Sequence, residues 1–96
     1  MKIVNLSYVL TTRNKLPFLT YGLNRLIHNL KQDEEIIVVD AGSTDGTVDF
    51  LKNLYQEGKI HQFVSESDNG EGHGFNKSIF LANGILLKFI TDDDFF

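Results

Sequence analysis

Residues 35–47, EIIVVDAGSTDGT, join a short apolar run to a loop rich in turn-forming residues. The run at 36–39 is too short for a helix and shows no alternation with polar residues. It therefore predicts a strand buried on both faces, as in a parallel sheet. The loop that follows, residues 40–46, contains three candidate caps for the next helix, namely Ser43, Thr44 and Asp45. A buried strand that leads through a turn into a helix is the repeating unit of an α/β fold.

The alternation of strand and helix patterns extends over the whole chain. Strands are predicted over residues 3–10, 35–39, 60–64 and 85–90. The first predicted helix opens at Pro17, and the third ends at Gly84. The apolar faces of the three helices consist of Leu19, Leu23, Leu26 and Leu30; of Val48, Leu51, Leu54 and Tyr55; and of Phe75, Ile79 and Ala82. The order β-α-β-α-β-α-β predicts an α/β domain with a mainly parallel sheet and right-handed crossovers.

Composition excludes several classes of protein. With 96 residues the chain is one domain or part of one, and its formal net charge of −4 argues against a nucleic-acid partner. The chain has no cysteine, so neither disulfides nor thiolate chemistry are expected. The N-terminal residues go directly into a strand pattern and lack the apolar region of a signal peptide. We therefore expect a cytoplasmic protein.

Polar clusters follow each predicted strand, at residues 11–14, 40–45, 65–74 and 92–94. Ligands of open parallel sheets bind at the carboxyl ends of the strands. The placement of the clusters therefore predicts a binding site along this edge.

The last cluster is the acidic triplet Asp92, Asp93 and Asp94. An acidic triplet is often a solvated turn or a helix N-terminus. At a ligand-binding edge, however, three crowded carboxylates repel one another and require a compensating cation. Oxygen ligands suit Mg²⁺ or Mn²⁺, which complete their coordination with substrate phosphates. Such a metal would let an acidic protein bind an anionic substrate.

Other motifs carry less weight. The stretch GEGHG at 70–74 has the wrong spacing for a dinucleotide fingerprint, and His73 has no second ligand at zinc spacing. A response-regulator-like domain would need acidic residues after the first strand, where this chain has Thr11, Thr12 and Arg13.

Taken together, several blocks resemble the glycosyltransferases of family 2, which have the GT-A fold, a Rossmann-like fold for nucleotide-diphospho-sugar transferases. The blocks are SYVLTTRN at 7–14, IVVDAGSTDGT at 37–47, SESDNG at 65–70, FNK at 75–77, LANG at 81–84 and FITDDD at 89–94. The chain departs from the family pattern at Ala41, where many relatives have a second aspartate, and at Arg13, where many have a stacking tyrosine.

The resemblance implies an inverting, metal-dependent enzyme that transfers a sugar from a nucleotide-diphosphate donor, a UDP-sugar, to an acceptor hydroxyl. The donor-binding residues that it implies are Thr11, Thr12, Arg13, Asp40, Asp68, Asn76, Lys77 and Asp92. Asp93 and Asp94 are the implied ligands of Mn²⁺ or Mg²⁺ in the DxD-like motif.

The resemblance also implies that residues 1–96 are the donor-binding part of a larger domain. We expect the acceptor half and the general base to lie beyond Phe96. The expected acceptor is a saccharide or lipid-linked molecule in polysaccharide or glycoconjugate synthesis, with the full-length parent located peripherally at the inner face of the membrane. An uncovered sheet edge is expected to cause self-association. The alternative is a non-catalytic fragment that binds nucleotide diphosphates.

Overall fold

The computed structural model of the protein describes residues 3–66 and 82–91. Its elements follow the order β1 (Leu6–Thr12), α1 (Leu16–His28), β2 (Glu34–Asp40), α2 (Thr47–Gln56), β3 (Gln62–Ser65) and β4 (Leu86–Thr91). Most of the third predicted helix falls outside the described residues. Neither of the two described helices is long and apolar enough to cross a membrane.

The four strands form one sheet in the order β3-β2-β1-β4, and every neighbouring pair is parallel. Consecutive parallel strands require crossover connections, which α1 and α2 supply for the first two steps. The predicted α/β architecture with a parallel sheet is therefore confirmed.

The boundaries of all four strands differ from the prediction, by a single residue at each end of β2 and β4 and by more at β1 and β3. The first strand was expected over 3–10 but runs over Leu6–Thr12, because Thr11 and Thr12 pair with Val39 and Asp40 of β2. The third was expected to begin at Ile60, yet β3 begins at Gln62. Ile60 is buried in the core just before the strand, so its apolar character reflects packing and not strand pairing.

The core explains why α1 and α2 lie on the same face of the sheet. Leu19 and Leu23 of α1 and Leu51 and Leu54 of α2 pack in one cluster with strand residues of that face. The strand residues of this cluster are Leu10, Ile36, Val38 and Ile90. The intervening Val9, Ile37 and Val39 are buried as well. Since side chains alternate along a strand, β2 is buried on both faces, as its sequence predicts.

Candidate functional site

The carboxyl ends of the strands meet at one edge of the sheet. In the parallel registers, Thr12 lies opposite Asp40, Asp40 lies opposite Ser65, and Thr11 lies opposite Thr91. The predicted convergence of the strand ends is therefore confirmed for the described residues. Thr11, Thr12, Arg13 and Asp40, which the sequence assigns to donor binding, are all placed at this edge.

Asp40 is the buried centre of the edge, with 1% of its surface exposed. Its Oδ2 accepts hydrogen bonds from the backbone N–H groups of Gly42, at 3.2 Å, and Ser43, at 2.9 Å. Ser65 Oγ donates to the same oxygen at 2.7 Å, and Ser43 Oγ donates to Oδ1. The carboxylate therefore holds the β2–α2 loop in its turn and ties that loop to β3.

This geometry corrects one part of the sequence interpretation. The sequence indicates Ser43, Thr44 and Asp45 as candidate caps of the next helix, whereas Asp40 is expected only among the donor-binding residues. The bonds to the N–H groups two and three residues ahead are those of an Asx turn, so Asp40 itself shapes the loop.

Asn14 joins the loop after β1 to the loop after β2. Its N–H donates to Ser43 Oγ at 2.8 Å, and its Oδ1 accepts from Thr44 N–H at 2.7 Å. The residue has a φ of 51°, in the left-handed region that asparagine tolerates better than most residues. No role was assigned to Asn14 from the sequence, although asparagine directly after a strand is a recognised signal for such a turn. The two loops form one hydrogen-bonded unit.

Asp45 connects the beginnings of the two helices. Its Oδ2 accepts from the N–H of Leu16, the first residue of α1, at 3.0 Å, and its Oδ1 accepts from the N–H of Thr47, the first residue of α2, at 3.2 Å. A hydrogen bond from the Thr47 hydroxyl, assisted by these N–H groups, lowers the pKa of Asp45 below its ordinary value. The position of the N-cap itself is taken by Gly46, with a φ of 96°, and not by one of the three predicted residues.

The starts of α1 and α2 thus lie at the same edge as the strand ends. Helix N-termini carry partial positive charge, and here the Asp45 carboxylate accepts from the first N–H group of both helices. Thr12 adds a second feature, because its hydroxyl is buried and has no hydrogen-bond partner among the described residues. Arg13, next to it, is exposed and makes no ion pair within the described part of the chain. The edge therefore offers both a cation and an unused hydroxyl.

The remaining predicted site residues cannot be placed at this edge. Asp68, Asn76, Lys77, Asp92, Asp93 and Asp94 lie outside the described residues. Residues 3–66 and 82–91 contain no group of three acidic, histidine or cysteine side chains that could hold a metal ion.

A cavity of about 560 Å³ lies elsewhere, between α1 and the β1–β4 pair. It is lined by Gly22, Arg25 and Leu26 of α1 together with Lys88 and Ile90 of β4 and by Tyr8 of β1. Burial raises the pKa of Tyr8, and the neighbouring Glu34 carboxylate raises it further. The cavity lies beside α1 and not among the loops that follow the strands, so it is separate from the candidate site.

Comparison of the sequence with known proteins identifies a matching family and several relatives. The model of the family described as Glycosyl transferase family 2 matches residues 7–96. An uncharacterized glycosyltransferase of Nostoc sp. is 28% identical over 93 residues, which cover 95% of this chain and 29% of that protein. The PGL/p-HBAD biosynthesis glycosyltransferase of Mycobacterium tuberculosis is 33% identical over 92 residues, which cover 92% of this chain and 35% of that protein. The chain thus spans about a third of the length of these curated relatives.

Two solved structures superpose on nearly the whole chain. The mannosyltransferase PcManGT from Pyrobaculum calidifontis, in complex with GDP-Man and Mn²⁺, gives a TM-score of 0.80 at 22% identity and covers 95% of this chain and 28% of its own. S. aureus TarS 1-349 in complex with UDP gives a TM-score of 0.76 at 25% identity, with 94% and 28% covered.

Proposed function

The chain belongs to glycosyl transferase family 2, and from this premise we propose that it forms the donor-binding part of an inverting glycosyltransferase. The donor is a nucleotide-diphosphate sugar, and UDP is its nucleotide. The GT-A fold expected from the sequence is confirmed by the superposition on glycosyltransferase structures.

The observation that carries the proposal is the composition of the strand-end edge. Thr12 and Asp40 are paired neighbours there, and both helix N-termini lie beside them. Asp40 Oδ1 accepts one hydrogen bond from a described donor, so it retains a lone pair for an N–H of the base. The buried Thr12 hydroxyl has no partner among the described residues, and we assign it to a polar group of the nucleotide. The flat guanidinium of Arg13 is suited to stacking on the base.

We assign the diphosphate to a divalent cation held by Asp93 and Asp94, with Asp92 at the ribose. Asp68 is assigned to base recognition, and Asn76 and Lys77 to donor binding. When bound there, a divalent cation would supply positive charge that stabilises the leaving diphosphate. Two structural neighbours support this assignment, since one is in complex with GDP-Man and Mn²⁺ and the other is in complex with UDP.

The chain spans about a third of the length of its relatives, and we assign the acceptor site and the general base to the part that it does not match. In the proposed reaction a carboxylate takes the proton of an acceptor hydroxyl, on a saccharide or a lipid-linked molecule. The oxygen then attacks the anomeric carbon from the side opposite to the diphosphate, and the C–O bond to the diphosphate breaks. The second candidate is a module that binds nucleotide diphosphates at the same strand-end edge without turnover.

Calorimetric titration of the chain with UDP tests the proposal. We expect tighter binding in Mn²⁺ or Mg²⁺ than in EDTA, because the acidic edge alone repels a diphosphate. Asp93→Asn should abolish most of the metal dependence, at a cost of about 1–3 kcal/mol for a lost charged ligand. Glu57→Gln is the matched control, since it removes one charge from an exposed side chain at the far end of α2 and should leave UDP binding unchanged. Equal UDP affinity with Mn²⁺ and with EDTA would contradict metal-dependent donor binding by this chain.

A further inference from the structure

Glu35 forms a buried polar network at the amino ends of the strands, opposite the candidate site. It is the second residue of β2, and 3% of its surface is exposed. Its Oε2 accepts from Ser7 Oγ at 2.5 Å and from the backbone N–H of Asn83 at 2.7 Å, and its Oε1 accepts from Asn83 Nδ2 at 3.4 Å. The same serine oxygen accepts from Gly84 N–H at 2.8 Å. The network therefore connects β2, β1 and the segment that leads into β4.

The sheet order makes this connection unusual. β1 lies between β2 and β4, so the two outer strands of this trio do not pair with each other. The Glu35 side chain reaches past β1 to contact the residue that lies three positions before β4. Gly84 fits tightly here, because a Cβ at this position would lie 2.5 Å from Ser7 Oγ and 2.6 Å from Ser7 N. Directly afterwards, the N–H of Leu86 donates to the carbonyl of Asn5 at 2.9 Å, which begins the β1–β4 ladder.

Apolar burial does little to fix the position of β4 along β1. Leu86 is 66% exposed and Leu87 37% exposed, whereas Ile90, near the carboxyl end, is 8% exposed. A strand keeps its register strongly only where one face is buried, and a slip of one residue turns every side chain to the other face. The amino half of β4 therefore needs another source of register, and the polar network lies directly at its start.

We propose that Glu35 is a positioning residue that sets the register of β4 and thereby the position of Thr91 beside Thr11. The carboxylate acts over the five residue steps from 35 to 40, about 17 Å of strand, without contact with any ligand. A slip of one residue would displace the carboxyl end of β4 by about 3.3 Å and reverse its faces. The consequence for the donor site rests on the proposed function, whereas the register itself does not.

Amide hydrogen exchange on the full chain, followed by NMR, tests whether the network holds β4 in its pairing with β1. Since Leu86 N–H points toward β1, alternation directs the N–H groups of Lys88 and Ile90 the same way. We expect Glu35→Ala to lower their protection by about tenfold more than that of Val38 in β2, because β4 opens as a separate unit. Glu35→Gln keeps an acceptor for Ser7 and the Asn83 N–H, and it should restore most of the protection.

Two further variants keep the test decisive. Ser7→Ala removes the hydroxyl between Glu35 and Gly84 and should give the same selective loss in β4 if Glu35→Ala does not fold. Leu54→Ala, a core change in α2, is the matched control and should lower protection in β2 and β4 alike. Equal loss at Lys88, Ile90 and Val38 in the Glu35 and Ser7 variants would overturn the proposal. Because the exchange experiment contains no nucleotide, failure of the wild-type chain to bind UDP would count against the proposed function alone.

Discussion

Asp40→Asn separates the structural role of this carboxylate from its proposed role in nucleotide binding. The wild-type side chain accepts hydrogen bonds from the N–H groups of Gly42 and Ser43 and from the hydroxyls of Ser43 and Ser65. An asparagine with its oxygen at the Oδ2 position keeps three of these bonds without the negative charge. Its NH₂ group then faces Ser43 Oγ, which already accepts from Asn14 N–H, so the serine hydrogen loses its acceptor.

The expected loss in the free energy of unfolding follows from the number of hydrogen bonds that change. Hydrogen bonds to a charged group contribute about 1.5–3 kcal/mol each, neutral ones about 1 kcal/mol, and the differences are not additive. We therefore expect Asp40→Asn to lower the free energy of unfolding by about 2 kcal/mol. For a domain of this size that corresponds to a fall in Tm of about 8–16 °C. Asp40→Ala leaves buried N–H groups unpaired and should cost about 3–5 kcal/mol.

Urea unfolding monitored by circular dichroism measures this change, with Glu57→Gln as the surface control at about 0–1 kcal/mol. A double-mutant cycle with Ser65→Ala should give a coupling energy of about 0.5–3 kcal/mol, since the two side chains are bonded at 2.7 Å. UDP affinity, measured below the unfolding transition, should fall for Asp40→Asn both in Mn²⁺ and in EDTA. Wild-type stability together with zero coupling to Ser65 would refute the role of Asp40 in holding the loop.

Two further predictions concern pH and association. The lowered pKa of Asp45 means that its ionised form stabilises the fold above the ordinary value of 3.8, and that this contribution disappears as the pH falls through the lower folded-state pKa. The difference in urea midpoint between wild type and Asp45→Asn should therefore shrink between about pH 6 and about pH 3, and a difference that stays constant would contradict the assignment. β4 lies at an edge of the described sheet with Leu86 exposed, so we expect concentration-dependent self-association in sedimentation velocity, reduced by Leu86→Lys. Sedimentation as a monomer at every concentration would contradict self-association through this edge of the sheet.

The order of elements could be predicted from the sequence because it depends on local patterns. The apolar run in β2 and the leucine spacing in α1 each report the burial of their own segment, and both predictions are confirmed. The gathering of Thr11, Thr12, Arg13 and Asp40 at one edge could also be foreseen. In a parallel sheet every strand ends on the same side, whatever the details of packing.

The hydrogen-bond partners of the site could not be predicted, because they join residues that are far apart in the sequence. Asn14 meets Ser43 and Thr44 only when β1 and β2 pair, and Asp40 meets Ser65 only when β3 joins them. For the same reason, the hydrogen-bond partners of Glu35 could not be predicted. In the sequence it is a polar residue at the start of an apolar run, whereas in the fold its partners are Ser7 and Asn83, 28 and 48 residues away. Local pattern determined which segments are strands and helices. The pairing of the strands decided which polar groups are buried together, because a buried carboxylate is stable only where the tertiary structure brings hydrogen-bond donors to it.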